Sequence, residues 1–251
     1  MSTLPIDVET ALRTRVNEPD APPNAMPPAF YNDFGVAALE RARLFHEGWV
    51  CVGRTDEVPD PGDYYVTQVL EEPLLVLRGR DEKIRVLSNV CRHRSSLLLE
   101  DCGNTNRIVC PYHQWSYRLD GRLLKAPHAD TQPGFDRDSC RLPNFPVELW
   151  YGWIFVNLSG TAQPLAPQLK SLEPWVHGYH EEEKRTVKVD PEYWPVNWKC
   201  LAENFMEAYH LTPVHLSTLH PVCPTRLAKK VAGGTAYTAY ESHYDEDFEG
   251  R

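Results

Sequence analysis

Four residues constrain what this chain can fold into more than any other feature: Cys91 and His93, then sixteen residues, then Cys110 and His113. The segment reads SNVCRHRSSLLLEDCGNTNRIVCPYHQWSY, a Cys-x-His loop followed by a Cys-x-x-His loop. Each loop directly follows an apolar, β-branched run, IRVLSNV or RIVC, so two strand ends can set the loops facing each other across one metal site. Pro111 stiffens the second loop. Seven cysteines in 251 residues is an odd number and too sparse for a disulfide framework, which leaves reduced thiols for a metal. Cys51, Cys102, Cys140, Cys200 and Cys223 have no ligand-like neighbours and read as packing or surface residues.

The ligand set accepts more than one metal. A structural zinc site takes two cysteines and two histidines, but its pairs usually put like with like. Here both pairs are mixed. A Rieske [2Fe-2S] centre carries two cysteines on one iron and two histidines on the other, so each mixed loop would give one ligand to each iron: Cys91 and Cys110 to one, His93 and His113 to the other. Trp115 reads as packing beside the cluster.

The rest of the chain places these loops in a β-rich segment. WVCVG, YYVTQVL, LLVLRG, IRVLSNV, RIVC, QWSYRL, RLLKA and WIFVN are short apolar or alternating runs separated by turn residues, which predicts an antiparallel all-β domain over residues 49–157. Asp120-Gly121 marks a tight hairpin. Before it, VAALERARLFHEGW predicts one amphipathic helix over residues 36–48, and six prolines in the first thirty residues predict an extended, loose arm over 1–35. After it, PLAPQLKSLEPWV reads as a short helix, EEEKR as a solvated turn, and TVKVD and TAYTAY as strands.

A second constellation lies in PVNWKCLAENFMEAYHLTPVH. Trp198, Leu201, Ala202, Phe205, Ala208 and Tyr209 make a helical apolar stripe, with Pro195 suited to the first turn. Glu203, Glu207 and His210 share a face, with Asn204 at its edge. His215 lies about 140° around an ideal helix from His210, so the two share a metal only if the helix is distorted, and Thr212-Pro213 supplies a reason for distortion. Two histidines and one carboxylate make the facial triad that holds Fe(II) with open positions.

Taken together, the two segments resemble the large (alpha) subunits of the Rieske-type non-haem iron oxygenases. The likeness runs over roughly residues 40–251 and rests on Cys-x-His…Cys-x-x-His and on NF-x-E-x-YH-x4-H. It implies an α+β chain in which an all-β Rieske domain (49–157) is inserted into the N-terminal part of a helix-grip-like catalytic domain, with 158–251 as the first portion of that domain. It implies His210 and His215 as ligands of a mononuclear iron, Asn204 near that iron, and Glu207 at the position that bridges the Rieske centre of one subunit to the iron of its neighbour, where many members carry Asp. The family's third iron ligand is a carboxylate usually well over a hundred residues further on, whereas 36 residues follow His215; Asp245, Glu246, Asp247 and Glu249 are not assigned that role, and the catalytic domain reads as C-terminally truncated.

The implied activity is that of a terminal oxygenase component using O2 as co-substrate, fed from NAD(P)H through a separate reductase, with or without a ferredoxin. It would work as a homotrimer or alpha-beta hexamer on an aromatic or quaternary ammonium substrate. A Rieske electron-transfer protein, or an inactive fragment without the third ligand, is the alternative. The net charge of −9 is the wrong sign for gripping nucleic acid. The absence of any long apolar run or signal-like leader leaves cytoplasm as the expected compartment without a membrane partner.

Overall fold

The computed structural model describes residues 4–17, 25–187, 192–234 and 236–244. Contacts divide the chain into two compact units, Leu39–Ala166 with Val176–Asp190, and Met1–Ala38 with Pro167–Trp175 and Pro191–Arg251. The first unit is the β-rich one. Its strands are β1 (Trp49–Arg54), β2 (Asp63–Val69), β3 (Glu72–Arg78), β4 (Ile84–Ser88), β5 (Cys102–Asn104), β6 (Ile108–Val109), β7 (Ser116–Tyr117), β8 (Leu123–Lys125), β9 (Asn144–Phe145), β10 (Val147–Trp150) and β11 (Trp153–Asn157). They form three antiparallel sheets, ordered β5-β2-β3-β4-β9, β1-β11-β10 and β6-β7-β8.

Strand β3 shows why the LLVL run is apolar without a break. Leu75 and Leu77 join one core with Leu87, Ile108, Trp115, Tyr117 and the two loop cysteines. Leu74 and Val76, pointing the other way, join a second core with Val58, Val86, Ile154 and Val156. A strand covered on both faces loses the polar half of its alternation. Each of these four side chains is at most 1% exposed, and burial contributes about 1.5–3 kcal/mol apiece.

The expected strands around the loops are present, and three more, β5, β9 and β10, complete the sheets. The Asp120-Gly121 hairpin is one residue longer than a two-residue turn. Arg118 N–H bonds the Arg122 carbonyl and Gly121 N–H bonds the Arg118 carbonyl, so the loop is Leu119-Asp120-Gly121. Gly121, at φ +83°, takes the left-handed position that such loops need.

The proline-rich beginning is not devoid of helix, contrary to the sequence expectation. Residues Ile6–Asn17 are helical because Pro5 precedes the first turn and the next proline is Pro19, leaving a proline-free stretch long enough for three turns. The helix expected over 36–48 spans Phe34–Glu40 and continues as a π-helical segment, Arg41–His46. PLAPQLKSLEPWV gives two short helices, Leu165–Leu169 and Glu173–Val176, rather than one. In the second unit a two-stranded antiparallel sheet pairs Ala228–Val231 with Ala239–Ser242, the latter overlapping the end of TAYTAY. Most of TVKVD and the acidic residues 245–251 lie outside the described residues.

Candidate metal centres

The two Cys/His loops share one backbone design. Cys91 N–H bonds the Ser96 carbonyl at 2.8 Å and Ser95 N–H returns to the Cys91 carbonyl at 3.1 Å; in the second loop Cys110 and Trp115, then Gln114 and Cys110, make the same pair at 2.8 and 3.0 Å. In both loops the residue four after the cysteine is left-handed, Ser95 at φ +53° and Gln114 at +58°. Strands β6 and β7 flank the second loop through Val109 and Ser116. Asn89, 3% exposed, seals the first by bonding both backbone groups of Leu99, at 2.8 and 3.0 Å.

This symmetry sorts the ligands by depth. Cys91 and Cys110 are 3% and 1% exposed, whereas His93 and His113 are exposed with ring centroids 4.7 Å apart. Burial pushes the Cys91 thiol up. Burial also opposes ionisation of Cys110, but the N–H groups of Tyr112 and His113 and the hydroxyl of Ser96 outweigh it, and its pKa falls. Partial desolvation, helped by nearby His113 and Arg94, lowers the His93 pKa. Trp115, 5% exposed, stacks on His93 at 4.8 Å and 7°, as packing beside the site.

Two contributors were not foreseen from sequence. The Tyr117 hydroxyl, fully buried, lies 3.3 Å from Cys91 Sγ and accepts the Arg92 N–H at 3.1 Å. The Pro127-His128-Ala129 turn, with His128 at φ +65°, faces both loop histidines across an open cavity of about 610 Å3. Tyr117 had a sequence signal in its place on the inward side of a strand. The His128 turn had none.

The second unit holds the other histidine pair. Helix Trp198–Phe205 starts with Asn197 as its cap, accepting Lys199 N–H at 3.0 Å, so Pro195 lies outside the first turn. The helix closes at Met206, six residues before Thr212, and beyond it the Glu207 carboxylate takes up the Tyr209 and His210 N–H groups. A new turn then forms over Leu211–Val214, with Pro213 at its third position, where no N–H partner is needed. His210 and His215 bracket this turn, and their ring centroids lie 5.5 Å apart. With a metal–nitrogen bond of about 2 Å, each ring centre sits roughly 3 Å from a bound ion, so one ion can bridge them.

Glu207 is hydrogen-bonded to His210 Nδ1. Partial burial alone would raise the Glu207 pKa, but the His210 ring and the Tyr209 and His210 N–H groups bring it below the usual carboxylate range. Thr225 fastens the segment from outside, donating to the Ala208 carbonyl at 2.8 Å while meeting the Thr212 hydroxyl at 2.8 Å. The Asn204 side chain is exposed and makes no hydrogen bond among the described residues. Glu203 receives the Tyr31 hydroxyl at 3.0 Å. His180, Glu182 and Glu183 also bring ligand atoms within 4.8 Å of one another, but all three are exposed on the acidic turn. Among the described residues no helix is long and apolar enough to cross a membrane.

Residues 48–146 match the family model of the Rieske [2Fe-2S] domain, and residues 173–249 that of the ring hydroxylating alpha subunit (catalytic domain). The carnitine monooxygenase oxygenase subunit of Escherichia coli (strain K12) is 33% identical over 76% of this chain and 52% of its own length. The benzene 1,2-dioxygenase subunit alpha of Pseudomonas putida is 32% identical over 86% of this chain and 50% of its own. A crystal structure of a quaternary ammonium Rieske monooxygenase in complex with an inhibitor superposes with a TM-score of 0.82 at 28% identity, covering 88% of this chain and 62% of that one. The chain spans about half the length of the curated relatives it matches.

Proposed function

The chain belongs to the Rieske-type non-haem iron oxygenases, as an all-β Rieske domain joined to the ring-hydroxylating alpha-subunit catalytic domain, and from that premise we propose that it is a terminal oxygenase component. The cofactors implied by the two domains are a [2Fe-2S] Rieske cluster and a mononuclear iron. When bound, the cluster supplies single electrons and the mononuclear iron supplies O2 activation for attack on an organic substrate.

The side chains divide the work by position. Cys91 and Cys110 would hold one iron from the buried side, and His93 and His113 the other at the exposed end, which is the end an electron donor or acceptor can approach. His210 and His215 would hold the mononuclear iron. Glu207 occupies His210 Nδ1, which fixes the ring and leaves Nε2 as the nitrogen for metal. Its side chain is 40% exposed, so the same carboxylate can meet a histidine of a neighbouring Rieske domain, the bridging role its position implies. Asn204 is assigned a place beside the iron on resemblance. A reductase, with or without a ferredoxin, would carry electrons from NAD(P)H to a cytoplasmic homotrimer or alpha-beta hexamer.

The observation that carries this reading is the coexistence in one chain of paired Cys/His loops and a Glu207-supported histidine pair. Glu207 and the carnitine-oxidising relative favour a quaternary ammonium substrate. The benzene dioxygenase relative supports an aromatic one as the second reading. Iron content and O2 uptake with a matched reductase test the proposal. About three iron atoms per chain with substrate-dependent uptake support the oxygenase, and about two without uptake support an electron carrier.

A further inference from the structure

Apart from both histidine sites, Arg80, Arg85, Arg107 and Arg118, with Asp81 and Asp120, line a depression of about 470 Å3 in the β-rich unit. Its two acids are already engaged. Arg85 grips Asp81 through two bonds of 2.7 Å, and Asp120 lies 3.7 Å from Arg122. The Arg80 guanidinium donates to the Pro61 carbonyl at 3.0 Å, a neutral partner that fixes its direction and leaves its charge uncompensated. Arg107 and Arg118 have no carboxylate within ion-pair distance among the described residues.

Strand register explains how these last two come together. Ile108 pairs with Tyr117, and both are 0% exposed. Alternation therefore turns Arg107 and Arg118, one step further along the ladder, outward on the same face. Like charges at neighbouring cross-strand positions repel each other. A chain with a net charge of −9 has surplus carboxylates, yet the two in this depression, Asp81 and Asp120, pair with Arg85 and Arg122 rather than with Arg107 or Arg118. Guanidinium forks match the geometry of phosphate oxygens, and two or three of them converging neutralise a doubly charged group. Leu119 and Leu124 add apolar surface to the same depression.

We propose that this depression binds a small phosphate-bearing anion, held by Arg107 and Arg118 with Arg80 as the third cation. The Arg85–Asp81 pair is a fixed wall rather than a ligand, since the Asp81 carboxylate offsets the Arg85 charge. Titration calorimetry on the folded chain in phosphate-free buffer, with pyrophosphate and AMP as probes, tests this without an electron donor or organic substrate, so its failure is distinct from failure of the oxygenase reading. Saturable 1:1 binding is expected, weakened about tenfold or more in an Arg107→Gln/Arg118→Gln double variant. It should be retained in Arg43→Gln, whose arginine lies outside the depression, with far-ultraviolet circular dichroism confirming the fold. Should the double variant not fold, Arg107→Lys, which keeps the charge but loses the fork, is expected to bind more weakly than the native chain. Tighter binding of AMP identifies an organic phosphate, and tighter or equal binding of pyrophosphate an inorganic one. No saturable binding of either probe at millimolar concentration, or equal binding by the folded variants, overturns the proposal.

Discussion

Replacing Tyr117 with Phe should lower the midpoint potential of the Rieske cluster while leaving the cluster assembled. The Tyr117 hydroxyl accepts the Arg92 N–H at 3.1 Å, so its own proton is turned toward Cys91 Sγ, 3.3 Å away, in a fully buried setting. A hydrogen bond to sulfur favours the redox state with more negative charge on it, the reduced one. Hydrogen bonds to charged groups are worth about 1.5–3 kcal/mol. Because one added electron spreads over several atoms, roughly half of that, about 0.8–1.5 kcal/mol, should separate the two states. For a one-electron couple this corresponds to a drop of about 35–65 mV. Phe preserves the buried ring and leaves one backbone N–H unpaired, costing about 1 kcal/mol in stability. A redox titration of reconstituted protein, followed by circular dichroism of the cluster, measures the shift. A potential within about 10 mV of the native value, with cluster content unchanged, would refute the reasoning.

Other outcomes follow from the same structure. His113→Ala should abolish the Rieske absorption and EPR spectrum, whereas the same change at His128, which faces the site without ligating, should leave it. Glu207→Gln should keep the cluster spectrum and lose turnover; full turnover would count against the bridging role. Asp56, whose side chain is 8% exposed, takes the Thr186 N–H at 2.6 Å and the Arg54 guanidinium at 3.3 Å. Burial alone would raise its pKa, but these bonds bring it below the usual value. Its contribution is therefore complete above about pH 3.9 and is lost as acid takes the pH down through the lower folded value. Asp56→Asn should cost about 1–2 kcal/mol at neutral pH, since Arg54 loses one charge-assisted bond but keeps the Glu181 carboxylate at 4.0 Å and the Glu181 carbonyl. Faster proteolysis within residues 176–187 is the readout, and native resistance would contradict it.

The Rieske loops were legible because their chemistry and their rigid supports sit next to each other in the chain. Cys91 and Cys110 each follow a strand run, and two mixed pairs narrow the metals that fit. The α+β class with an all-β domain was legible for the same reason, through runs such as LLVL. Partners from further along the chain were not. Nothing local says that the Tyr117 hydroxyl reaches Cys91, or that Asn89 bonds Leu99 ten positions on. Around His210 and His215 the helix geometry differs from the expected one. The expected break falls at Thr212-Pro213, whereas the helix closes at Met206 and the Glu207 carboxylate takes the Tyr209 and His210 N–H groups beyond it. Strands β5, β9 and β10 escaped because they are short or polar and are fixed by pairing with distant strands. The N-terminal helix is masked by the prolines on either side, although residues 6–18 contain none.

Cys91, His93, Cys110 and His113 are proposed to hold one mixed-ligand [2Fe-2S] cluster, and EPR of the anaerobically reconstituted, dithionite-reduced chain is the test. A Rieske-type signal that disappears in His113→Ala is the predicted result. A colourless, EPR-silent protein that takes up one zinc at these four residues would contradict it.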